Sequence, residues 1–368
     1  MNRICQGVII GKFYPPHAGH RHLIATAAER SVHLAVVVLG SRFESLSIDD
    51  RVQWLSREFE DTNVTVIGVR DDCPVDYSSP AIWKAHNEVL RLALKLRGIT
   101  SVDAVFSSEH YGQQLAADFG ARHVMVDQAR SAYPVSGTLC RDNPQAAWRS
   151  IIKPARQDMA VRIIVVGAQS TGTTTLARAL VEHYRPRFPE LVDVPEFGRQ
   201  FTYDKFAAAQ QENPDVRLSD LVWTAEDFAV IGERQNQMEN EAAARCPLVI
   251  ADTDVITTAL FERVYIGEQS YGSFHAVSRL PHRDLYLITD HDGVDFEDDG
   301  WREAEHPRAE MTEWFKEELT EAGHSWILVS GSHAERLAAA VRITDLIIEQ
   351  RNLFTSPPWA TPTVLAGT

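Results

Sequence analysis

Short apolar runs alternate with longer stretches of helical periodicity along the first 130 residues. Segments 7–10, 34–39, 64–69, 103–106 and 123–126 read as strands. Segments 19–30, 49–59, 82–96 and 111–119 read as helices. Asp49 or Asp50 is the expected cap of the second helix, and Gly98 closes the third. Apolar runs without polar alternation suit strands covered on both faces, and strand–helix alternation predicts a parallel sheet. A stretch of mixed polarity follows, with 148–152 read as a last helix and then a linker. The pattern restarts at 161–166 and adds strands at 191–194, 248–251, 285–288 and 326–329, with helices over 220–244 and 335–350. The expected architecture is two parallel-sheet α/β domains, 1–155 and 156–351, then a proline-bearing flexible tail over 352–368.

Composition narrows the function. Hydrophobic residues at 44% and charged residues at 24% of 368 are ordinary globular usage, which excludes wholesale disorder. The net charge of −15 argues against coating DNA or an anionic membrane. That charge is unevenly placed: residues 1–156 carry +2 and residues 157–368 carry −17. Cys5, Cys73, Cys140 and Cys246 are too scattered for a disulfide framework or a metal cage. No apolar run approaches a membrane span and no signal peptide is evident. A cytoplasmic location is expected.

The first strand runs into Gly11-Lys12-Phe13-Tyr14-Pro15-Pro16-His17-Ala18-Gly19-His20, with a helix starting near Gly19. A helix N-terminus offers free N–H groups and partial positive charge to a phosphate. His17 and His20, three apart, can face one anion. Lys12 adds a fixed charge, and Gly11 and Gly19 permit close backbone approach. This set suits binding a triphosphate and stabilising charge on a phosphoryl centre in transfer.

The segment resembles the nucleotidyltransferase signature His-x-Gly-His. The superfamily's second motif, Ser-x-Thr-x-x-Arg, is matched by Ser136-Gly137-Thr138-Leu139-Cys140-Arg141. Asp50-Arg51-Val52-Gln53-Trp54-Leu55 and Phe106-Ser107-Ser108-Glu109-His110-Tyr111-Gly112 resemble the adenylyltransferase half of the NadR family. The resemblance implies a Rossmann-like nucleotidyltransferase domain. Its reaction would be adenylyl transfer from ATP to nicotinamide mononucleotide, giving NAD and pyrophosphate. His17, His20, Lys12 and Arg141 would be catalytic, and Gly11, Phe13, Tyr14, Ser136 and Thr138 would bind ATP, with Mg²⁺ required. For the acceptor, Trp83 is read as a stacking partner or a core tryptophan, and Arg51 as a phosphate ligand or a surface charge.

The second half opens with the strand 161–166 and Gly167-Ala168-Gln169-Ser170-Thr171-Gly172-Thr173-Thr174-Thr175, the spacing of a phosphate-binding loop. Thr174 stands where the Mg²⁺ hydroxyl ligand belongs, and Gly167, Ser170, Thr171, Gly172, Thr173 and Thr175 are expected around the phosphates. Thr173 occupies the lysine position, and no lysine lies between Lys153 and Lys205. Either another cation substitutes (Arg178, Arg302 or Arg308) or the site binds nucleotide without transferring phosphate. Asp252, ending an apolar strand, is the expected carboxylate for Mg²⁺. Glu196 or Asp254 is the expected proton acceptor from a substrate hydroxyl.

Glu196 to Arg199, Asp252-Thr253-Asp254 and Asp298-Asp299-Gly300-Trp301-Arg302 resemble, in order, the ribosylnicotinamide kinase half of NadR proteins. That implies a P-loop kinase-like domain phosphorylating nicotinamide riboside with ATP. Arg302 would touch ATP, and Asp298 and Trp301 the pyridinium. The implied partners are these small molecules alone; a homo-oligomer is left open. Some NadR proteins carry an N-terminal helix-turn-helix, but here the first motif begins at Gly11, so no direct DNA binding is expected. Two alternatives stand beside NAD formation: a different acceptor in the first domain, and a regulatory nucleotide sensor in the second.

Overall fold

The computed structural model describes residues 3–74, 79–129, 131–267, 269–295 and 308–357. The chain divides into two compact units. One runs to Arg156 and takes in the chain again from Asn352; the other is Gln157–Arg351.

The first unit alternates β1 (Ile4–Gly11), α1 (Ala18–Arg30), β2 (Ser31–Gly40), α2 (Ile48–Glu58), β3 (Val64–Arg70), α3 (Pro80–Leu96), β4 (Ala104–Ser107), α4 (Tyr111–Phe119) and β5 (Arg122–Met125). The short α5 (Gly137–Asp142) follows, and α6 (Lys153–Met159) spans the unit boundary. The five strands are parallel in the order β3-β2-β1-β4-β5. Val8, Ile10, Ala35, Val37 and Val105 face Leu90, Leu94 and Leu115 of α3 and α4 to form one layer of core. The strands β2 and β3 extend the sheet on one side of β1, and β4 and β5 on the other, so the strand order reverses there. Ligands of open α/β sheets bind at the strand carboxyl ends beside such a switch.

The second unit holds β6 (Val161–Gly167), α7 (Thr173–Tyr184), β7 (Asp193–Val194), α8 (Phe197–Glu212), α9 (Ala225–Arg245), β8 (Leu248–Asp252), α10 (Val255–Tyr265), α11 (Phe274–Ser278), β9 (Leu285–Thr289), α12 (Arg308–Glu321), β10 (Trp326–Val329) and α13 (His333–Arg351). Its sheet is also parallel, ordered β10-β9-β6-β8-β7. Ile163, Val165, Leu180, Ile250 and Leu287 centre its core. Among the described residues no helix is long and apolar enough to cross a membrane.

Three local expectations change. The cap of α2 is Ser47, whose Oγ accepts from Asp50 N, because the helix begins one residue earlier than expected, at Ile48. Instead of a helix over 148–152 and a linker, a single 3-10 turn (Trp148–Ser150) leads into α6. The described part of the expected flexible tail, 352–357, is held against the first unit. Thr355 donates through Oγ1 to Phe43 O (2.6 Å) and through N to Ser45 Oγ (3.3 Å), and its carbonyl accepts from Tyr14 OH (2.7 Å). Phe354 sets its ring edge-on to Tyr14 at 6.0 Å. A short extended segment needs no periodicity to dock, because its backbone supplies the bonds.

Candidate active sites

In the first unit β1 delivers Gly11 to the switch point, and the chain turns through Phe13 into α1. Phe13 is buried with φ 49°. A left-handed conformation at a bulky residue costs about 1–3 kcal/mol and tends to persist where the surroundings enforce it. His17 is the N-cap of α1 and stacks on His20, ring centroids 3.7 Å apart. The His17 N–H donates to His20 Nδ1 (3.3 Å), which places the proton of a neutral His20 ring on Nε2. Phe13 presses edge-on against His20 at 4.8 Å. The two imidazoles are thus fixed at a helix N-terminus, as a phosphate donor pair requires.

The distant motif joins this turn. Ser136 caps α5, its Oγ accepting from Leu139 N (3.1 Å). Arg141 donates through Nη1 to Tyr14 O (2.6 Å) and through Nη2 to Thr138 Oγ1 (3.2 Å), with its guanidinium 5.2 Å from the Tyr14 ring centre. Lys12 reaches Glu44 Oε1 at 3.1 Å and is half exposed. His17, His20, Lys12, Arg141, Phe13, Tyr14 and Thr138 therefore form one linked group.

Two expected substrate contacts have other positions. Arg51 is fully buried: Nη2 meets Glu44 Oε2 (2.9 Å), Nε donates to Ser47 O (3.0 Å) and Nη1 to Lys12 O (2.8 Å). It is neither a surface charge nor open to a substrate phosphate. Burial pulls its pKa below the ordinary guanidinium value, against the opposing charge of Glu44. Trp83 packs on the core of the first sheet, with its indole N–H donating to Asp118.

In the second unit β6, the loop 168–172 and α7 line a cleft of about 880 Å³. Gly167, Ser170, Thr171, Gly172, Thr173, Thr174 and Thr175 all border it. Ser170 (φ 60°) and Gly172 (φ 87°) take left-handed conformations in the loop, as turns that can form an anion-binding concavity do. A Cβ on Gly167 would lie 2.2 Å from Thr289 Oγ1, so only glycine fits there. Thr171 uses its hydroxyl internally, on Ala168 O (2.7 Å) and Thr289 Oγ1 (2.6 Å).

Thr174 Oγ1 donates to Asp252 Oδ2 at 2.6 Å. Burial pushes the Asp252 carboxyl above its usual range; the Thr174 and Thr173 hydroxyls and the charges of Arg199 and Arg178 pull the other way. A desolvated carboxylate and a hydroxyl at the start of α7 are hard oxygen donors, and they fit Mg²⁺. Glu196 caps α8, borders the cleft and pairs with Arg199 at 3.5 Å. Arg178 is exposed on α7 and borders the same cleft.

Asp254 does not reach this cleft. It is fully buried, accepting from Ile256 N (3.0 Å), Arg283 Nε (3.3 Å) and Tyr286 OH (2.7 Å). Arg283 in turn meets Glu239 (2.8 Å), which also holds Arg162 (3.3 Å). Thr253, at φ 72°, breaks the strand alternation and sends the two carboxylates apart. Asp254 is a structural acid, not a proton acceptor. Asp298, Trp301 and Arg302 lie outside the described residues.

Residues 162–336 match the family described as AAA domain. Over 281 residues, 72% of this chain, the sequence is 24% identical to the trifunctional NAD biosynthesis/regulator protein NadR of Salmonella typhimurium. The Escherichia coli protein of the same name matches at 24% over 282 residues. The chain is thus similar to the NadR proteins over most of its length. The match spans 63% of the length of each of these two relatives. Two solved NadR structures share the fold at 20% identity. One, in complex with NAD and AMP-PNP, has a TM-score of 0.54 and covers 93% of this chain and 96% of its own. The other, in complex with NR, has a TM-score of 0.56 and covers 95% and 97%. Two parallel-sheet α/β units are thus common to this chain and its NadR relatives.

Sequence reasoning missed two residues that shape these sites, Glu44 and Arg336, and gave Arg199 no role of its own. Glu44 grips both Lys12 and Arg51. Arg199 acts on Asp252 across the cleft. Arg336, nearly fully buried at the start of α13, donates from Nη1 to Thr171 O (2.9 Å) and from Nε to Gly331 O (2.8 Å), bracing the loop between β6 and α7. The Glu-x-x-Arg spacing signalled Arg199; nothing local marks Glu44 or Arg336.

Proposed function

We propose that this chain makes NAD in two steps. The first unit would be a Rossmann-like nucleotidyltransferase joining nicotinamide mononucleotide to the adenylyl group of ATP. The second would be a P-loop kinase supplying that mononucleotide from nicotinamide riboside. The observation that carries the reading is the stacked His17–His20 pair at the head of α1, linked through Phe13 and Tyr14 to Arg141.

In the first step a phosphate oxygen of the mononucleotide attacks the α-phosphorus of ATP. The bond to the bridging oxygen breaks, and pyrophosphate leaves with the electron pair. Negative charge grows on the α-phosphate oxygens and on the leaving group. His17 and His20 would donate to the former, and Lys12 and Arg141 would offset the latter. Fixed donors aimed at developing charge supply most of such catalysis. No nucleophile from the protein is required.

In the second step the riboside hydroxyl attacks the γ-phosphorus, its proton passes to Glu196, and ADP leaves. The loop amides, with Ser170, Thr173 and Thr175, would hold the phosphates. Thr174 and Asp252 would hold Mg²⁺, which when bound neutralises phosphate charge. Arg199 and Arg178 border the same cleft and are the candidates to stand in for the missing lysine. The NadR relatives solved with NAD and AMP-PNP and with NR support the choice of ligands.

Thr173 favours a second reading for the second unit alone, a site that senses nucleotide without transferring phosphate. Two assays on one preparation decide. Failure to form NAD from ATP and nicotinamide mononucleotide would end the first assignment. ATP binding to the second unit without riboside phosphorylation would select the sensor.

A further inference from the structure

Thr355 spends all three of its polar atoms on the first unit. Its Oγ1 donates to Phe43 O (2.6 Å), its N to Ser45 Oγ (3.3 Å), and its O accepts from Tyr14 OH (2.7 Å). Tyr14 OH also lies 2.8 Å from Ser45 Oγ and accepts from Ser45 N at 3.1 Å. Phe43 and Ser45 are the two chain neighbours of Glu44. Glu44 is buried, and its carboxylate meets Lys12 Nζ at 3.1 Å, Arg51 Nη2 at 2.9 Å and Ser41 N at 3.2 Å. Both residues flanking the acid that orients Lys12 are therefore fastened by one threonine from the far end of the chain.

We infer that Thr355 is a positioning residue of the first nucleotide site, acting through Glu44 to set the Lys12 ammonium at the turn between β1 and α1. The inference rests on the proposed role of Lys12 toward the phosphates of ATP. Loop 41–47 has no regular structure of its own, so the bonds that cross it fix its shape. Tyr14, whose carbonyl receives Arg141, is held from the same segment. The segment thus steadies two of the groups that would face the triphosphate. It need not touch the substrate to do so.

The test is made in the full chain with Thr355→Val, which keeps the backbone bonds and removes the Oγ1 donor, and Thr355→Ser, which keeps that donor. Loss of one such bond predicts about a three- to tenfold fall in kcat/KM for ATP in NAD formation, per folded molecule, in the valine variant. The serine variant restores the wild-type value, and riboside phosphorylation is unchanged in both. If Thr355 merely held the unit together, the valine variant would yield less folded protein while kcat/KM per folded molecule stayed at the wild-type value; that result overturns the inference. Amide hydrogen exchange over 41–47 reads the clamp without any substrate. It should quicken in the valine variant, and an unchanged rate refutes the clamp even in a protein that makes NAD. A wild-type chain that makes no NAD instead overturns the adenylyl reading and the role given to Lys12.

Discussion

Replacing Asp254 by alanine separates a structural acid from a catalytic one. Asp254 is sealed from solvent and accepts from Ile256 N, Arg283 Nε and Tyr286 OH. Its removal leaves the buried Arg283 guanidinium with Glu239 as its remaining carboxylate partner, and Glu239 already serves Arg162. It also leaves the Tyr286 hydroxyl and one amide of α10 without this acceptor. Breaking a buried ion pair from one side costs about 3–5 kcal/mol, because an uncompensated charge stays behind. The second unit has 195 residues, and in that size range each kcal/mol moves the melting temperature by roughly 2–4 °C. The expected fall is therefore about 6–20 °C, worked from those two scales. Calorimetry of the full chain would read it as a shift of the transition belonging to the second unit. Below that transition, riboside phosphorylation per folded molecule should stay within a few-fold of wild type. An unchanged melt with turnover lowered by about a hundredfold or more, the loss expected of a general base, would refute the reasoning and return Asp254 to the chemistry.

His20→Ala should lower NAD formation by about 10²–10³-fold, as loss of one oxyanion donor does, with riboside phosphorylation untouched; steady-state assays of both reactions check it. Asp252→Asn should abolish Mg²⁺-dependent ATP binding in the second unit, measured by titration calorimetry, without lowering its melting temperature. Because burial raises the Asp252 carboxyl in the folded state, folding takes up a proton there. Stability from this group is present below the ordinary carboxylate range and is lost as pH rises through the raised value; the asparagine variant should lack that slope in melts taken across acid pH. Thr173→Lys should raise kinase turnover if phosphate charge limits the wild type. No change would mean that another cation already does that job.

The strands were legible because parallel sheets covered on both faces demand unbroken apolar runs, and β6, β8 and β9 are such runs. Glycine and hydroxyl spacing likewise marked the turns that follow β1 and β6, since close backbone approach admits few residue types. Direction was the harder quantity. Asp252 and Asp254 sit two apart, where strand alternation would aim them alike; the left-handed Thr253 aims one at Thr174 and the other at Arg283. Arg51 announced a cation near a phosphate turn, but whether it points out to a ligand or in to Glu44 depends on a loop 7 residues upstream. The stretch from Asn352 carries no periodicity, and its docking rests largely on backbone atoms that every residue has.

That docking sets an order on synthesis. The bond from Tyr14 to Thr355 joins residues 341 apart. Between Arg156 and Asn352 the ribosome must make the entire second unit, which at ~5–20 residues per second takes roughly 10–40 s. Throughout that interval the first sheet can form, while loop 41–47 waits for the residue that fastens it. A nascent chain released early would carry the histidine pair and the phosphate turn without this clamp. The first unit to emerge is thus the last to be completed.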